Sequence, residues 1–430
     1  MLEMKWIREN GALVQATADR KGICLNVNEL LEWDRRKREL LQETEKGREA
    51  RNRLSREIGR LLKQENHLEA DIAKLQVKEC NERLTKLEHQ LREAEEHTAE
   101  LLLLVPNVVS PDTPQGRSDA DNVEIRRAGE PVNPEYEMLD HIALGELHQL
   151  IHIPRGVKTG GARSYFLTGA GALLHRAVQQ LAVDLLLSGG FTLMDVPLLV
   201  RRETLVNTGF FPLGEDQVYR IGSDDHYLAG TSEVSLVSYH AGEIMDLAKP
   251  VKLAAASSCF RSETGSAGRD VHGLYRVHQF AKVEQVVFCE ADPELSERML
   301  QEITGNAEHL LRLLELPYRV MAVCTGDMSQ KTYKQYDIET WMPSRGAYGE
   351  THSSSDLHDF QARRANIRYR DSAGKLRYCH TLNNTMVASP RILIPLLENH
   401  QQEDGSIRIP AALVPYMNGL EQLVPRTGVF

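Results

Sequence analysis

From Asn28 to Leu104 the chain contains no proline and is dominated by Leu, Glu, Arg and Lys. Such a run can stay helical throughout, because no residue removes a backbone donor or drives a ring into the preceding turn. Trp33, Lys37, Leu40, Thr44, Gly47, Arg51, Leu54, Ile58 and Leu61 recur in steps of four and three, which is heptad spacing with a polar middle. A second series, Leu68, Ile72 and Leu75, then Leu84, Leu87, Leu91, Ala94 and Leu101, slips register around Cys80. The polar residues Gln64-Glu65-Asn66-His67 separate the two series. The spacing predicts an antiparallel helical hairpin, each arm of about 35 residues and so about 50 Å long. Residues 35–63 are rich in arginine and lysine, whereas the second arm is dominated by Glu and Asp. These charges either pair across a solvated coiled coil or leave surplus arginine to grip nucleic-acid phosphates.

At 430 residues and 41% apolar content, the chain can bury a large core and is expected to form two or more domains. A net charge of −10 argues against nucleic-acid binding through overall charge and leaves room for a local basic surface. The six cysteines, Cys24, Cys80, Cys259, Cys289, Cys324 and Cys379, form no Cys-x-x-Cys pair, so no zinc site is expected and reduced thiols are. The N-terminus has neither a signal-peptide core nor the look of a transit peptide. No apolar run is long enough to span a bilayer. These features predict a soluble cytoplasmic protein with no membrane partner.

Leu101–Pro114 ends the helix at its first proline and continues as an extended linker, which predicts a connector over residues 105–135. After Tyr136, Gly169–Leu187 reads as helix. Val218–Ile221, Val251–Ala256, Gln285–Cys289, Tyr318–Val323 and Ile367–Arg370 read as strands. Strand hairpins flanked by helices predict an α+β domain on a mainly antiparallel sheet. No Gly-x-Gly-x-x-Gly or Walker-type loop is present, so a nucleotide site would have to use side chains on a sheet.

The stretch Cys259–Glu284 offers such a site. Its ends read as two antiparallel strands around a loop of small and charged residues. Alternation predicts Arg261 and Glu263 on one strand face, with His278, Phe280, Lys282 and Glu284 sharing a face of the return strand. Together they supply a cation for phosphate, a ring for a base and carboxylates for an ammonium group.

This stretch resembles motif 2 of the class II aminoacyl-tRNA synthetases, in the form that seryl-tRNA synthetases carry. The resemblance extends from Met1 to about Met417. It implies an N-terminal tRNA-binding domain over 1–104 with its hairpin at about 28–104, a linker over 105–135, and a class II catalytic domain over 136–430. The helix from Gly169, then Gly189-Gly190-Phe191 and a strand ending at Pro197 resemble motif 1, which implies a homodimer. Thr231, Ser232 and Glu233 match the family's Thr-x-Glu loop for the serine amino group. The catalytic arginines implied are Arg261, on the α-phosphate, and Arg391, which caps the adenine and reaches the terminal phosphate. Glu284, Thr385 and Asn383 are the further serine contacts. A partner for the serine hydroxyl matters, because a site built for a hydroxyl rejects alanine by leaving buried polar groups unpaired. Ser262, Glu263, Val277, Phe280, Glu350, Thr351, His352 and Ser353 complete the ATP site, with Glu350 and Ser353 facing Mg²⁺ through ATP. The implied substrates are ATP, L-serine and tRNA(Ser), the last held by the hairpin and the motif 2 loop.

The chain also departs from the pattern. Ser258 stands where proline is common, Val271-His272-Gly273 where Thr-Arg-Gly is common, His352 where a small or hydroxyl residue is usual, and Ser355–His358 where Cys, Asn and Thr are frequent. These changes keep open a specialised paralogue that makes seryl-adenylate for a secondary pathway or resists an adenylate-mimicking antibiotic. The resemblance makes serine–tRNA ligase activity the first expectation.

Overall fold

The computed structural model describes residues 1–131, 134–265 and 272–425. Two compact units are present, Leu2–Pro106 and the chain from Asn107 onward.

In the first unit, α1 (Val27–Lys63) and α2 (His67–Leu104) form the expected hairpin. Asn26 caps α1 by accepting from the Asn28 and Glu29 amides, and Asn66 caps α2. At 37 residues α1 is about 55 Å long. Leu40, Leu87, Leu91 and Ala94 fill one part of the seam. Leu84 closes on Gly47, where an added Cβ would come within 2.8 Å of its Cδ2, so the glycine allows the arms to approach. Toward the turn the heptad reading fails. Leu68, Ile72 and Leu75 are 75%, 50% and 64% exposed, whereas Ala70 and Ala73 pack against Leu61 and Ile58. After the turn the inward positions are Ala70 and Ala73 instead of the leucine series.

Arg48 reaches Glu88 across the hairpin at 2.8 Å, while Arg36, Arg53 and Arg56 are exposed and make no ion pair among the described residues. Cross-hairpin pairing therefore accounts for part of the charge pattern, at Arg48, and leaves other arginines exposed. Near the other end of the hairpin, Ile7, Val14, Ala18, Leu25, Val27, Leu30 and Val105 make a small core.

The second unit is built on β1 (Val123–Ala128), α3 (Ala170–Ser188), β2 (Thr192–Leu193), α4 (Glu233–Ser238), β3 (Val251–Phe260), β4 (Gln279–Cys289), α5 (Pro293–Leu313), β5 (Tyr318–Ala322), β6 (Lys334–Met342), β7 (Ala347–Asp356), α6 (Phe360–Ala365), β8 (His380–Ser389) and α7 (Leu393–His400). Its main sheet runs β1-β5-β6-β7-β8-β4-β3-β2. All neighbours are antiparallel except β2 with β3. The expected α+β architecture is present. The main core includes buried residues of α3, α5 and α7 together with Val283, Val287, Val320, Ile338, Leu382 and Val387 of the strands. Residues 105–135 are not a free connector along their length, because Val123–Ala128 joins the sheet as an edge strand. Its charged residues Glu124, Arg126 and Arg127 obscured that in the sequence. No helix among the described residues is long and apolar enough to cross a membrane.

Candidate active site

The β3–β4 hairpin sets the site, and its register pairs Phe280 with Cys259, Lys282 with Ser257 and Glu284 with Ala255. Phe280 and Lys282 share one face by alternation, and both line a cleft with Arg261, Glu263, Val277, Glu350, Thr351, His352, Ser353, Thr385 and Arg391. Arg261 and Glu263 arrive differently from the strand alternation expected of them. The strand stops at Phe260, and Glu263 has a positive φ of 52°, so a turn delivers the two side chains to the cleft. His278 is not in the cleft. It precedes the first paired residue of β4, its ring sits against the Arg261 carbonyl at 3.0 Å, and it lines a separate groove with Phe260 and Gln279. Ser262 also turns away, its hydroxyl donating to the Asp216 carbonyl.

Arg391 is fixed before any ligand arrives. Its Nε donates to the Tyr275 carbonyl at 3.0 Å and its Nη1 to the Glu350 carbonyl at 3.2 Å. The Tyr275 ring lies 4.5 Å from the Arg391 guanidinium and 4.4 Å from that of Arg345, a favourable cation–π arrangement. The Glu350 carboxylate is 3.7 Å from Arg391. Arg261 donates through Nε to the Gly230 carbonyl at 3.3 Å, and its guanidinium lies 5.3 Å from the Phe280 ring. The Glu263 carboxylate takes Arg276 at 3.3 Å.

His352 is buried, with Nδ1 2.8 Å from the Thr351 hydroxyl. Burial lowers its pKa to about 3, so the ring is neutral and adds no charge to the cleft. Behind Ser353, Asp337 is pushed up to about 8 by burial and by the nearby Glu350 carboxylate. Gln335 bridges Asp337 at 3.0 Å and Ser353 at 3.2 Å.

The other expected residues collect in a buried cluster that adjoins the cleft through Lys282 and Arg261. Thr231, Ser232, Glu233, Glu284 and Asn383 are all buried. Thr231 accepts the Glu233 amide at 3.2 Å. Glu233 receives Asn383 at 3.0 Å, Lys331 at 2.6 Å and Gln361 at 2.7 Å. Glu284 pairs with Lys282, and burial raises its pKa. Sequence reasoning missed Lys331, Asp337, Tyr275 and Arg345. Gln361 was in view inside Asp-Phe-Gln-Ala-Arg-Arg, but nothing marked its target. Asp337 alternates with Tyr336 and Ile338, a pattern that could have placed it on the polar face of a strand.

A cleft with two fixed arginines, an aromatic platform and carboxylates, beside a buried carboxylate–hydroxyl cluster, suits a nucleotide and a small amino acid together. Residues 217–400 match the class II core domain model of the G, H, P, S and T tRNA synthetases, and residues 1–109 match the seryl-tRNA synthetase N-terminal domain. The serine–tRNA ligase of Deinococcus radiodurans is 47% identical over 98% of this chain and 99% of its own. That of Rubrobacter xylanophilus is 41% identical over 99% of each. The chain belongs to the seryl-tRNA synthetase family. A crystal structure of the Pyrococcus horikoshii seryl-tRNA synthetase complexed with ATP matches this synthetase with a TM-score of 0.90 at 36% identity, over 99% of this chain and 100% of that one.

This synthetase's departures from the family pattern fall in different surroundings. His352 forms part of the cleft wall. His272 is exposed, with Nε2 3.4 Å from the Asp140 carboxylate, and Val271 lies outside the described residues. Within the second departing segment, His358 stacks between Tyr333, at 3.6 Å, and His380, at 4.3 Å.

Proposed function

We propose that this synthetase activates L-serine with ATP and passes the seryl group to tRNA(Ser). The observation that carries this reading is the continuity of the Arg261–Phe280–Glu350–Arg391 cleft with the Thr231–Glu233–Glu284 cluster. In the first step an oxygen of the serine carboxylate attacks the α-phosphorus, the bond to the bridging oxygen breaks, and pyrophosphate leaves with seryl-adenylate retained. Arg261 stabilises the charge that builds on the α-phosphate. Phe280 and Val277 receive the adenine, Glu263 contacts its edge, and Arg391 caps it and reaches the terminal phosphate. Thr231 and Glu233 bind the ammonium. Glu284, Thr385 and Asn383 surround the serine side. In the second step a ribose hydroxyl of the terminal tRNA adenosine attacks the seryl carbonyl carbon and AMP leaves.

Mg²⁺ suits the residues present. Glu350 and Ser353 offer hard oxygen ligands, and the Glu350 carboxylate supplies negative charge for a cation to offset. When bound with ATP, the ion would neutralise phosphate charge. The exposed Arg36, Arg53 and Arg56 support tRNA binding by the hairpin, consistent with residues 1–104 as the tRNA-binding domain and 136–430 as the catalytic domain. Exposed Leu187, Leu193 and Leu199, on and after α3, support a homodimer interface. Six free cysteines fit the reducing cytoplasm.

The test is serine-dependent ATP–pyrophosphate exchange with tRNA charging on the same preparation. Both activities are expected. Exchange without charging would favour the specialised adenylate-forming reading, and absence of exchange from folded protein would overturn both.

A further inference from the structure

Lys331 belongs to no part of the chemistry just described, yet it is the strongest donor on the Glu233 carboxylate. Its ammonium lies 2.6 Å from Glu233 Oε1, the same oxygen that takes Gln361 and Asn383. Oε2 accepts none of these three. Lys331 is buried. Its stem runs against Gly209, where an added Cβ would come within 3.2 Å of Lys331 Cβ and Cδ, and its Nζ is 4.0 Å from the Phe210 ring centroid. Gln361 is itself held, donating to the Thr208 carbonyl at 2.9 Å and accepting the Thr381 hydroxyl at 2.8 Å.

The backbone that carries Lys331 is also fixed. Asn107 Nδ2 donates to the Lys331 carbonyl at 3.0 Å and to the Leu357 carbonyl at 2.8 Å. The Asn107 amide donates to the Gln330 carbonyl and the Ser110 amide to the Tyr333 carbonyl, each at 2.9 Å. Asn107 is the first residue of the catalytic unit after Pro106.

We propose that Lys331 is a positioning residue of the amino-acid pocket: it fixes Glu233 through one oxygen and leaves the other for the substrate ammonium, and Asn107 sets Lys331 in turn. The proposal rests on the reading of Glu233 as the ammonium acceptor. The charged groups around Glu233 are Lys331 from the 329–333 loop and the Glu284–Lys282 pair from β4. Gln361 from α6, Asn383 from β8 and Thr231 supply neutral polar groups. Two carboxylates and two ammonium groups thus share one buried site. Burial pushes the Lys331 ammonium down, and the Glu233 and Glu284 carboxylates push it back up. Without Lys331, Glu233 keeps its amide donors but loses its cation and still faces Glu284. A buried carboxylate left in that state is driven toward its neutral form, which binds an ammonium poorly.

Lys331→Met, assayed by ATP–pyrophosphate exchange in the full chain, is expected to raise the serine KM by at least about tenfold. The ATP KM should stay within about twofold, because that cleft holds Arg261 and Arg391 unchanged. The acid limb of kcat/KM for serine should move to higher pH, a change that simple misfolding does not produce. Lys331→Arg should recover part of the loss. Asn107→Ala should raise the serine KM in the same direction but less, and adding it to Lys331→Met should cost little more, since both act through one contact. A wild-type serine KM and pH profile in Lys331→Met would overturn the proposal. So would equal rises in the serine and ATP KM without movement of the acid limb, which marks a general packing role. Wild-type protein without serine-dependent exchange would instead overturn the assignment of the pocket.

Discussion

Replacing Arg261 by alanine gives the sharpest test of the activation chemistry. The guanidinium spends one hydrogen bond on the protein, from Nε to the Gly230 carbonyl at 3.3 Å, and lies 5.3 Å from the Phe280 ring. Neither Nη group makes a hydrogen bond to the described residues, so both remain for a phosphate. Losing one neutral-acceptor hydrogen bond costs about 1 kcal/mol of stability, and the melting temperature should move by only a few degrees. Losing the electrostatic partner of a transition-state oxyanion costs about 3–4 kcal/mol of barrier, or roughly 100- to 1,000-fold in rate. Arg261→Lys keeps the charge but not the planar fork, and should fall between wild type and alanine. The assay is single-turnover formation of seryl-adenylate at saturating serine, with ATP concentration varied. The rate at saturation should fall much more than ATP affinity. If Arg261→Ala stays within about tenfold of wild type in that rate and still melts normally, the arginine is not the group stabilising the phosphorus centre.

Leu87 lies in the hairpin seam at 8% exposure, so Leu87→Ala should destabilise the protein by about 2–5 kcal/mol. Ile72→Ser, on the exposed face, should change it by less than about 0.5 kcal/mol; denaturant unfolding compares the two. Glu350→Gln should raise the Mg²⁺ concentration needed for half-maximal exchange, as a Mg²⁺ titration would show, and unchanged Mg²⁺ dependence would remove Glu350 from the cation's surroundings. Asp356 is pushed up to about 7 by burial, so between about pH 4 and pH 7 the folded state keeps a proton that the unfolded state releases. Stability from this group is therefore lost as pH rises across that window. Asp356→Asn, which keeps an oxygen for the His358 amide, should gain in melting temperature over wild type as the pH is raised from about 5 to about 8; a constant difference would contradict the sign.

The hairpin and the motif-bearing strands were legible because periodicity and local pairing decide them. Gln64–His67 falls where α1 ends and α2 begins, since a polar break between two apolar series leaves the chain little else to do. What periodicity could not settle was the seam near the turn. Leu68, Ile72 and Leu75 are the more apolar choice for burial, but the close approach of the arms favours Ala70 and Ala73 there. Contacts in the catalytic unit show the same limit. Arg261, Phe280 and Arg391 were found because each lies in a stretch with distinctive wording. Lys331 meets Glu233 across 98 residues of chain, and a lone lysine in a polar loop carries no local sign of burial.

His352 shows how burial changes the meaning of a substitution read from sequence. In the cleft wall, an imidazole could be taken for an added phosphate-binding cation. Its pKa of about 3, caused by burial, excludes that role at neutral pH. Nor does it disturb the existing cations, because Arg391 is anchored by the Tyr275 and Glu350 carbonyls and Arg261 by the Gly230 carbonyl. What remains is volume: an imidazole occupies more of the wall than a small side chain would. The residue therefore acts on the shape of the nucleotide cleft and leaves its charge unchanged. His352→Ser should accordingly alter affinity for nucleotides and adenylate mimics while the serine KM, which the proposed pocket at Glu233 and Glu284 would set, stays near wild type. Measured inhibition by a non-hydrolysable seryl-adenylate analogue, alongside the serine KM, separates the two effects, and a serine KM that moves as far as the inhibition constant would show that the two pockets are not independent.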